Sequence, residues 1–256
     1  MAKSTLTFAL LVAFFFPRGA TTQSLSAISG QAGAFVYFSE PADLDHIRGN
    51  LDYSINDEES LSIGSVLSSG FGGISLEFAS KNGRFVYASG LKYSRVSGKL
   101  SMDDLYWFNT PYFFFRFRES GLVTEYVTLR KVIQHTDFLG IPLEVRWFLF
   151  GGRRVRFYIK GAAEVNYKIA TGTEIDFYEP AMSKYKKQVE AELREVADVH
   201  GVLSLAGGIR FGKPDAILFG FEFAGPAAFV SADAAGIVRP TVGTGFLFSV
   251  LIPVNR

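Results

Sequence analysis

From Phe138 to Ala170 the chain alternates apolar and polar side chains along two consecutive runs. In the first run Leu139, Ile141, Leu143, Val145, Trp147 and Leu149 are apolar, and Glu144 and Arg146 fall between them. After Gly151-Gly152 the pattern resumes with Val155, Phe157, Ile159, Ala163, Val165, Tyr167 and Ile169 on one face. The opposite face reads Arg154, Arg156, Tyr158, Lys160, Glu164, Asn166 and Lys168. Side chains alternate across a strand with period two, so each run has one oily and one charged face. Each run extends over about a dozen residues, where a soluble strand has about 5–6. A tilted barrel strand needs roughly 9–11 residues to cross a bilayer. The pattern predicts an antiparallel hairpin of a transmembrane β-barrel, with lipid outside and charge inside.

The same alternation recurs on both sides of this hairpin. Ala32–Ser39 is a weakly alternating first strand, with Phe35 and Tyr37 on one side. Gly73–Ser80 turns Ile74, Leu76 and Phe78 outward, and Leu61–Leu67 can extend it upstream. The Asn82-Gly83 pair tolerates positive φ and marks a tight hairpin. Arg84–Arg95 follows, then Val202–Phe211, a strand with Ile217, Phe219, Phe221 and Phe223 outward, and Thr241–Ile252. Leu129–Phe138 projects the fourth strand past the membrane. Within Thr171–Val199 a helix is expected from Glu179-Pro180 onward, because Pro suits the first helical position. Met182, Tyr185, Val189, Leu193 and Val196 recur at steps of three and four, an apolar stripe for packing on the barrel rim. The connections alternate long and short, with long ones at 40–69, 99–136, 171–199 and 225–240. Bacterial outer-membrane barrels have short periplasmic turns and long exterior loops. The expected fold is all-β: an eight-stranded antiparallel transmembrane β-barrel with one amphipathic helix in a long extracellular loop. A soluble lipocalin-like barrel is the alternative closure.

Composition adds to this picture. The chain has 26 Phe, 26 Gly and no Cys, and its formal charge of +1 gives no reason to expect a nucleic-acid partner. Residues 1–22 read as a secretory signal peptide: Lys3, the apolar run Leu6–Phe16, then the small residues Ala20 and Thr22. That run is too short for a spanning helix. The division expected is 1–22 signal peptide and 23–256 outer-membrane barrel domain, exported to the outer membrane.

Leu139-Gly140-Ile141-Pro142-Leu143, followed by Val145, Trp147 and Phe148, resembles the signature strand of the PorT-like outer-membrane β-barrels of Bacteroidota. Tyr158-Ile159-Lys160-Gly161-Ala162 is similar to the strand that follows it in that family. Leu205-Ala206-Gly207-Gly208 and Gly220-Phe221-Glu222 continue the likeness, which covers about residues 70–252. Gly140 stands where the family usually has Glu, and no aromatic residue ends the chain. Pro142 cannot donate to a sheet ladder, so a bulge is expected there. The resemblance implies a fold and a membrane, and it admits membership of a secretion complex without specifying one activity.

Candidate chemistry is confined to the inward face. Glu77, Lys92, Glu144, Arg146, Arg156, Lys160, Glu164, Lys168, Arg210 and Glu222 are expected to line the lumen. An eight-stranded barrel is just wide enough inside for side chains, so they should interlock as a salt-bridged plug. Each buried carboxylate needs a cation beside it, and Glu144 with Arg146 or Arg156 is the leading pair. Leu143, Val145, Trp147, Phe157, Ile159, Phe219 and Phe221 are assigned to lipid. His46, His135 and His200 are scattered among different loops, and His135-Thr136-Asp137 is the nearest approach to a catalytic group. No nucleophile has a signature around it. Trp107 and Tyr112–Phe117 read as rim aromatics. No catalytic residue, cofactor or metal is expected. The function expected is non-enzymatic: an outer-membrane barrel presenting extracellular loops for structural, adhesive or assembly roles. A secretion-complex component and an outer-membrane lipid-modifying enzyme are the alternatives. The expected partners are outer-membrane lipid and envelope or secretion proteins.

Overall fold

The computed structural model describes residues 24–42, 47–48, 63–102, 112–120, 123–152, 154–213 and 216–254. Residues 1–22, read above as a signal peptide, and His46 and Trp107 lie outside the described residues. Among the described residues ten strands make one antiparallel sheet: β1 (Ser24–Pro41), β2 (Ile47–Arg48), β3 (Ile63–Ala79), β4 (Phe85–Met102), β5 (Phe113–Ser120), β6 (Val123–Gly151), β7 (Val155–Phe177), β8 (Val199–Phe211), β9 (Leu218–Phe229) and β10 (Val238–Pro253). Eight of them pair in the cycle β1–β3–β4–β6–β7–β8–β9–β10 and back to β1, so the sheet closes on itself. β5 and β2 extend the wall beyond the end of β4: Phe113 pairs with Leu129 of β6, and Ile47 pairs with Phe115. The connections after β3, β6 and β8 are short, and the described parts of those after β7 and β9 lie together at the other end.

The strands are longer than their sequence pattern predicts. β1 begins at Ser24, not at Ala32, and β3 takes up the end of the 40–69 segment. The 99–136 segment is largely strand, because β4 runs to Met102 and β6 starts at Val123. Of 171–199, the first residues continue β7 to Phe177; a 3-10 turn at Pro180–Tyr185 and helix α1 (Lys186–Glu192) follow. β9 likewise reaches Phe229, and a second 3-10 turn spans Ala232–Ala235. Polar residues are normal on strands that rise clear of a membrane, and this is why their patterning looked like loop. Pro142 causes no bulge. Pairing to β4 lapses between Ser89–Leu143 and Lys92–Gly140 with the register unchanged, so the missing N–H costs ladder contacts and no offset.

Outward faces carry a continuous apolar belt. Ile141, Trp147, Phe157, Ile159, Tyr167, Leu203, Phe219, Phe221, Phe223 and Phe246 are all exposed, while Leu143 and Val145 face out but are half-buried. Aromatic pairs gird the short-turn edge: Phe85 stacks on Trp147 at 6.3 Å and Phe150 meets Phe157 at 5.0 Å. On β7 the belt runs from Phe157 to Ile169. At about 3.4 Å per residue and about 45° of tilt this is about 29 Å, matching a hydrocarbon core of about 30 Å. Just above it Asp137 accepts hydrogen bonds from Tyr93 (2.7 Å) and from Arg95 Nε (2.7 Å) and Nη2 (3.0 Å). Bonding to the Arg95 guanidinium holds the Asp137 carboxyl below its usual range. The belt ends where the outward face acquires this ion pair.

Phe223 sits midway along the belt on β9. Phe223→Arg is expected to destabilise the barrel in phospholipid vesicles by about 2–4 kcal/mol relative to Phe223→Leu, measured by urea unfolding.

Candidate functional site

The inward side chains of β6 give the order of layers in the lumen. From the short-turn end they are Phe148, Arg146, Glu144, Pro142, Gly140, Phe138, Thr136, Gln134 and Val132, all buried. The floor is aromatic. Phe148 packs on Tyr158 at 5.1 Å between ring centroids, and the Arg156 guanidinium lies 3.8 Å from the Phe148 ring centre.

Above the floor lies the charge layer. Arg146, 1% exposed, bonds Glu77 through Nη1 and Glu144 through Nη2, and its Nε lies 3.5 Å from Glu222 Oε1. Lys160 pairs with Glu222 and lies 3.6 Å from Glu144 Oε1; Arg210 donates to Glu77 at 3.0 Å. Tyr158 donates its hydroxyl to Glu222 at 2.7 Å. Three carboxylates thus face three cations, Arg146, Lys160 and Arg210, and the layer is neutral. Neutrality matters because an uncompensated buried charge costs several kcal/mol. One level up, Lys92 pairs with Glu164 and rests 4.3 Å from the Phe71 ring centre.

Arg156 and Lys168 stand apart from this network. Arg156 donates to Gly83 O (2.6 Å) at the short-turn rim and has no carboxylate partner among the described residues, while Arg146 bonds Glu144. Lys168 lies at the other rim, bonded to Asp198 (2.8 Å) and to Val196 O (2.7 Å), where it ties the loop down. The two residues flank the charged part of the inward row of β7, so parity alone places them with the others; depth in the barrel separates them.

Long charged side chains from β6, β7 and β8 fit because the wall opposite is small. Ser29 and Ser75 share a 2.6 Å hydrogen bond there, and Ser249 is buried beside Gly220. A Cβ at Gly208 would come within 2.5 Å of Tyr158 Cζ. Gly140 is an inward spacer too, since a Cβ there would collide with Asn166 Oδ1 and Glu164. These glycines carry no polar signal, and only the contacts with side chains of the paired strand reveal their role.

The outer half of the lumen is mostly apolar, with Thr136, Gln134 and His200 set among the apolar side chains, a filling that alternation alone does not predict. Phe35, Tyr37, Phe71 and Phe138 form an aromatic tier, with Phe35 stacked at 5.9 Å on both Tyr37 and Phe71. His200, 3% exposed, stands edge-on to Phe138 at 4.4 Å inside this tier, away from the other described histidine. Leu67, Leu100, Val132, Ile237 and Val238 continue the core to the mouth. The stripe from the long loop closes it: Val189 and Val196 are buried in this core, and Met182, Tyr185 and Leu193 pack against it. Arg194 pairs with Asp233, and Ala197 N donates to Asp233 O (3.0 Å), so the loops after β7 and β9 form one lid. His135 lies on the outer wall, 3.7 Å from Glu174, and Thr136 of the same triplet points inward to Thr171. The triplet is not a catalytic constellation. No group of metal-ligating side chains is present among the described residues.

No family model matches the chain, and no curated protein does. Among solved structures it is similar to the crystal structure of the outer membrane protein OprG from Pseudomonas aeruginosa. That match has 11% identity and a TM-score of 0.35, and covers 90% of this chain and 94% of that one. The fold assignment rests on the closed pairing of this chain's own strands.

Arg146→Met removes the cation common to three carboxylates and is expected to cost about 3–5 kcal/mol in vesicle unfolding. Adding Glu77→Leu should recover part of that loss, because the orphaned acid is removed with its partner. Gly208→Val is expected to cost about 1–3 kcal/mol by overpacking against Tyr158, and Gly207→Val, on the outward face, much less.

Proposed function

We propose that the chain is an outer-membrane β-barrel that acts as a closed, non-enzymatic platform. Its short turns lie in the periplasm and its long-loop face is held outside the cell for structural, adhesive or assembly contacts. The observation that carries this reading is the double seal of the lumen. A neutral ion-paired layer fills one half and an apolar core under a stitched lid fills the other. A conducting pore needs a continuous wet path, and each layer interrupts it. A carrier needs an internal cavity, and the side chains that meet across this lumen occupy that space.

A second reading, membership of a secretion or assembly complex, draws on the wall above the belt. There Tyr112, Phe114, Tyr126 and Tyr178 form a ring cluster outside the barrel, with Arg130 5.3 Å from the Tyr178 ring centre. Tyr and Arg are enriched in protein interfaces. A photocrosslinker at Tyr126 that captures the same envelope protein in intact cells, and loses it on Arg130→Glu, would favour this reading.

The absence of native cysteine makes topology easy to test. A membrane-impermeant maleimide is expected to label Lys187→Cys on intact cells and to reach Asn82→Cys only after lysis. In planar bilayers neither the wild type nor a variant lacking residues 180–197 is expected to conduct, because the charge layer remains when the lid is gone. Conductance steps from the wild type would overturn the sealed-platform reading.

A further inference from the structure

The belt is not uniformly convex. Across its middle the paired outward positions read Tyr87–Val145–Gly161–Leu205 and, one row along, Ser89–Leu143–Ala163–Leu203. Gly161 and Ala163 therefore form a low floor on β7 between taller walls on β6 and β8. Above and below stand Tyr167 and Ile159, both exposed. The result is an outer-wall trough of about 740 Å³. A Cβ added at Gly161 would meet only Leu205 Cδ2, at 3.9 Å, so the protein does not fill this space. Glu144 reaches the trough only with its backbone, because its carboxylate is held inside by Arg146 and Lys160. A volume within the range of about 300–1,000 Å³ typical of apolar ligand sites suits one lipid chain.

A second feature shows from which leaflet such a chain comes. The short turns below this part of the wall carry Lys81, Arg84 and Arg154, all exposed and without a carboxylate partner among the described residues. On the outer wall at the opposite rim Arg95 is neutralised by Asp137. Gly161 is seven residues from Arg154, about 24 Å along the strand and about 17 Å along the normal at about 45° of tilt. That is close to half the hydrocarbon thickness, so a tail whose phosphate sits at the turns ends in the trough.

We propose that the trough holds one acyl chain of an anionic phospholipid from the short-turn leaflet, its phosphate bound by Arg84 and Arg154. The site rests on the reading of the chain as a membrane-spanning barrel. A tail in the trough touches wall on three sides instead of one, and two arginines hold its head. Dispersion and charge together select it over bulk lipid.

Trp147 borders the trough one row below Val145, and Trp107→Phe leaves it as the single tryptophan. That protein, reconstituted in phosphatidylcholine vesicles, is titrated with chain-brominated phosphatidylglycerol or chain-brominated phosphatidylcholine, and Trp147 quenching is read. Phosphatidylglycerol is expected to quench at on the order of tenfold lower mole fraction. The preference should vanish in Arg84→Gln/Arg154→Gln, and Ala163→Leu should abolish the saturable phase by filling the floor. Equal quenching by the two lipids in the parent would overturn the proposal while leaving the barrel in the membrane. So would reversal of quenching by added lipopolysaccharide, or shielding of Trp147 from both lipids in a crosslinked dimer. No quenching of any barrel variant, Phe223→Trp included, would sink the membrane reading itself and the site with it.

Discussion

A backbone in hydrocarbon has no water to bond, so each N–H and C=O in the belt must find a partner within the protein. The pairing of β6 with β7 meets that requirement here, because it joins the two ends of an otherwise open sheet. Once closed, eight strands enclose a lumen only one or two side chains across. The rest of the structure follows from that narrowness. Outward side chains meet lipid and can be nearly any large apolar residue. Inward ones meet each other, so their sizes and charges are mutually fixed.

The inside accordingly holds two kinds of filling. Near the short turns Arg146, Lys160 and Arg210 balance Glu77, Glu144 and Glu222, with Tyr158 bonded to the last. Toward the loops Phe35, Phe71, Phe138 and their neighbours make an ordinary apolar core, capped by Val189 and Val196. The second half resembles a soluble domain resting on a membrane anchor. β4, β6 and β7 run continuously from one half into the other, so the projecting part is held by the same hydrogen-bonded wall as the anchor.

Much of this was legible from alternation alone. Glu144, Arg146, Lys160 and Glu222 were readable as inward because Leu143, Val145, Ile159 and Phe221 beside them were unmistakably apolar. The loop-side extensions were not, since above the membrane both faces of a strand can be polar or both buried, and the period-two contrast disappears. Phe113, Phe115 and Phe117 look like a rim cluster in sequence, yet they point into a core that exists only because α1 and the β9–β10 loop fold over it. Gly140 and Gly208 were silent for a related reason. A glycine's role as a spacer is defined by the side chain that leans over it from the paired strand, here Asn166 over Gly140 and Tyr158 over Gly208, and that pairing is set by the register between strands.

The sequence by itself determined that eight strands close the ring, which face of each carries the apolar belt and where the long connections fall, because those features are written in local periodicity; the added strands β2 and β5 are not. Only the tertiary structure decided which charges meet. Arg146 takes Glu77 from 69 residues away while Arg156, ten residues further along, turns to a carbonyl at the rim. It also decided that the lumen is half oil and that the outer wall dips at Gly161. Distance across a closed ring and depth along its axis are products of closure, and no window of consecutive residues contains them.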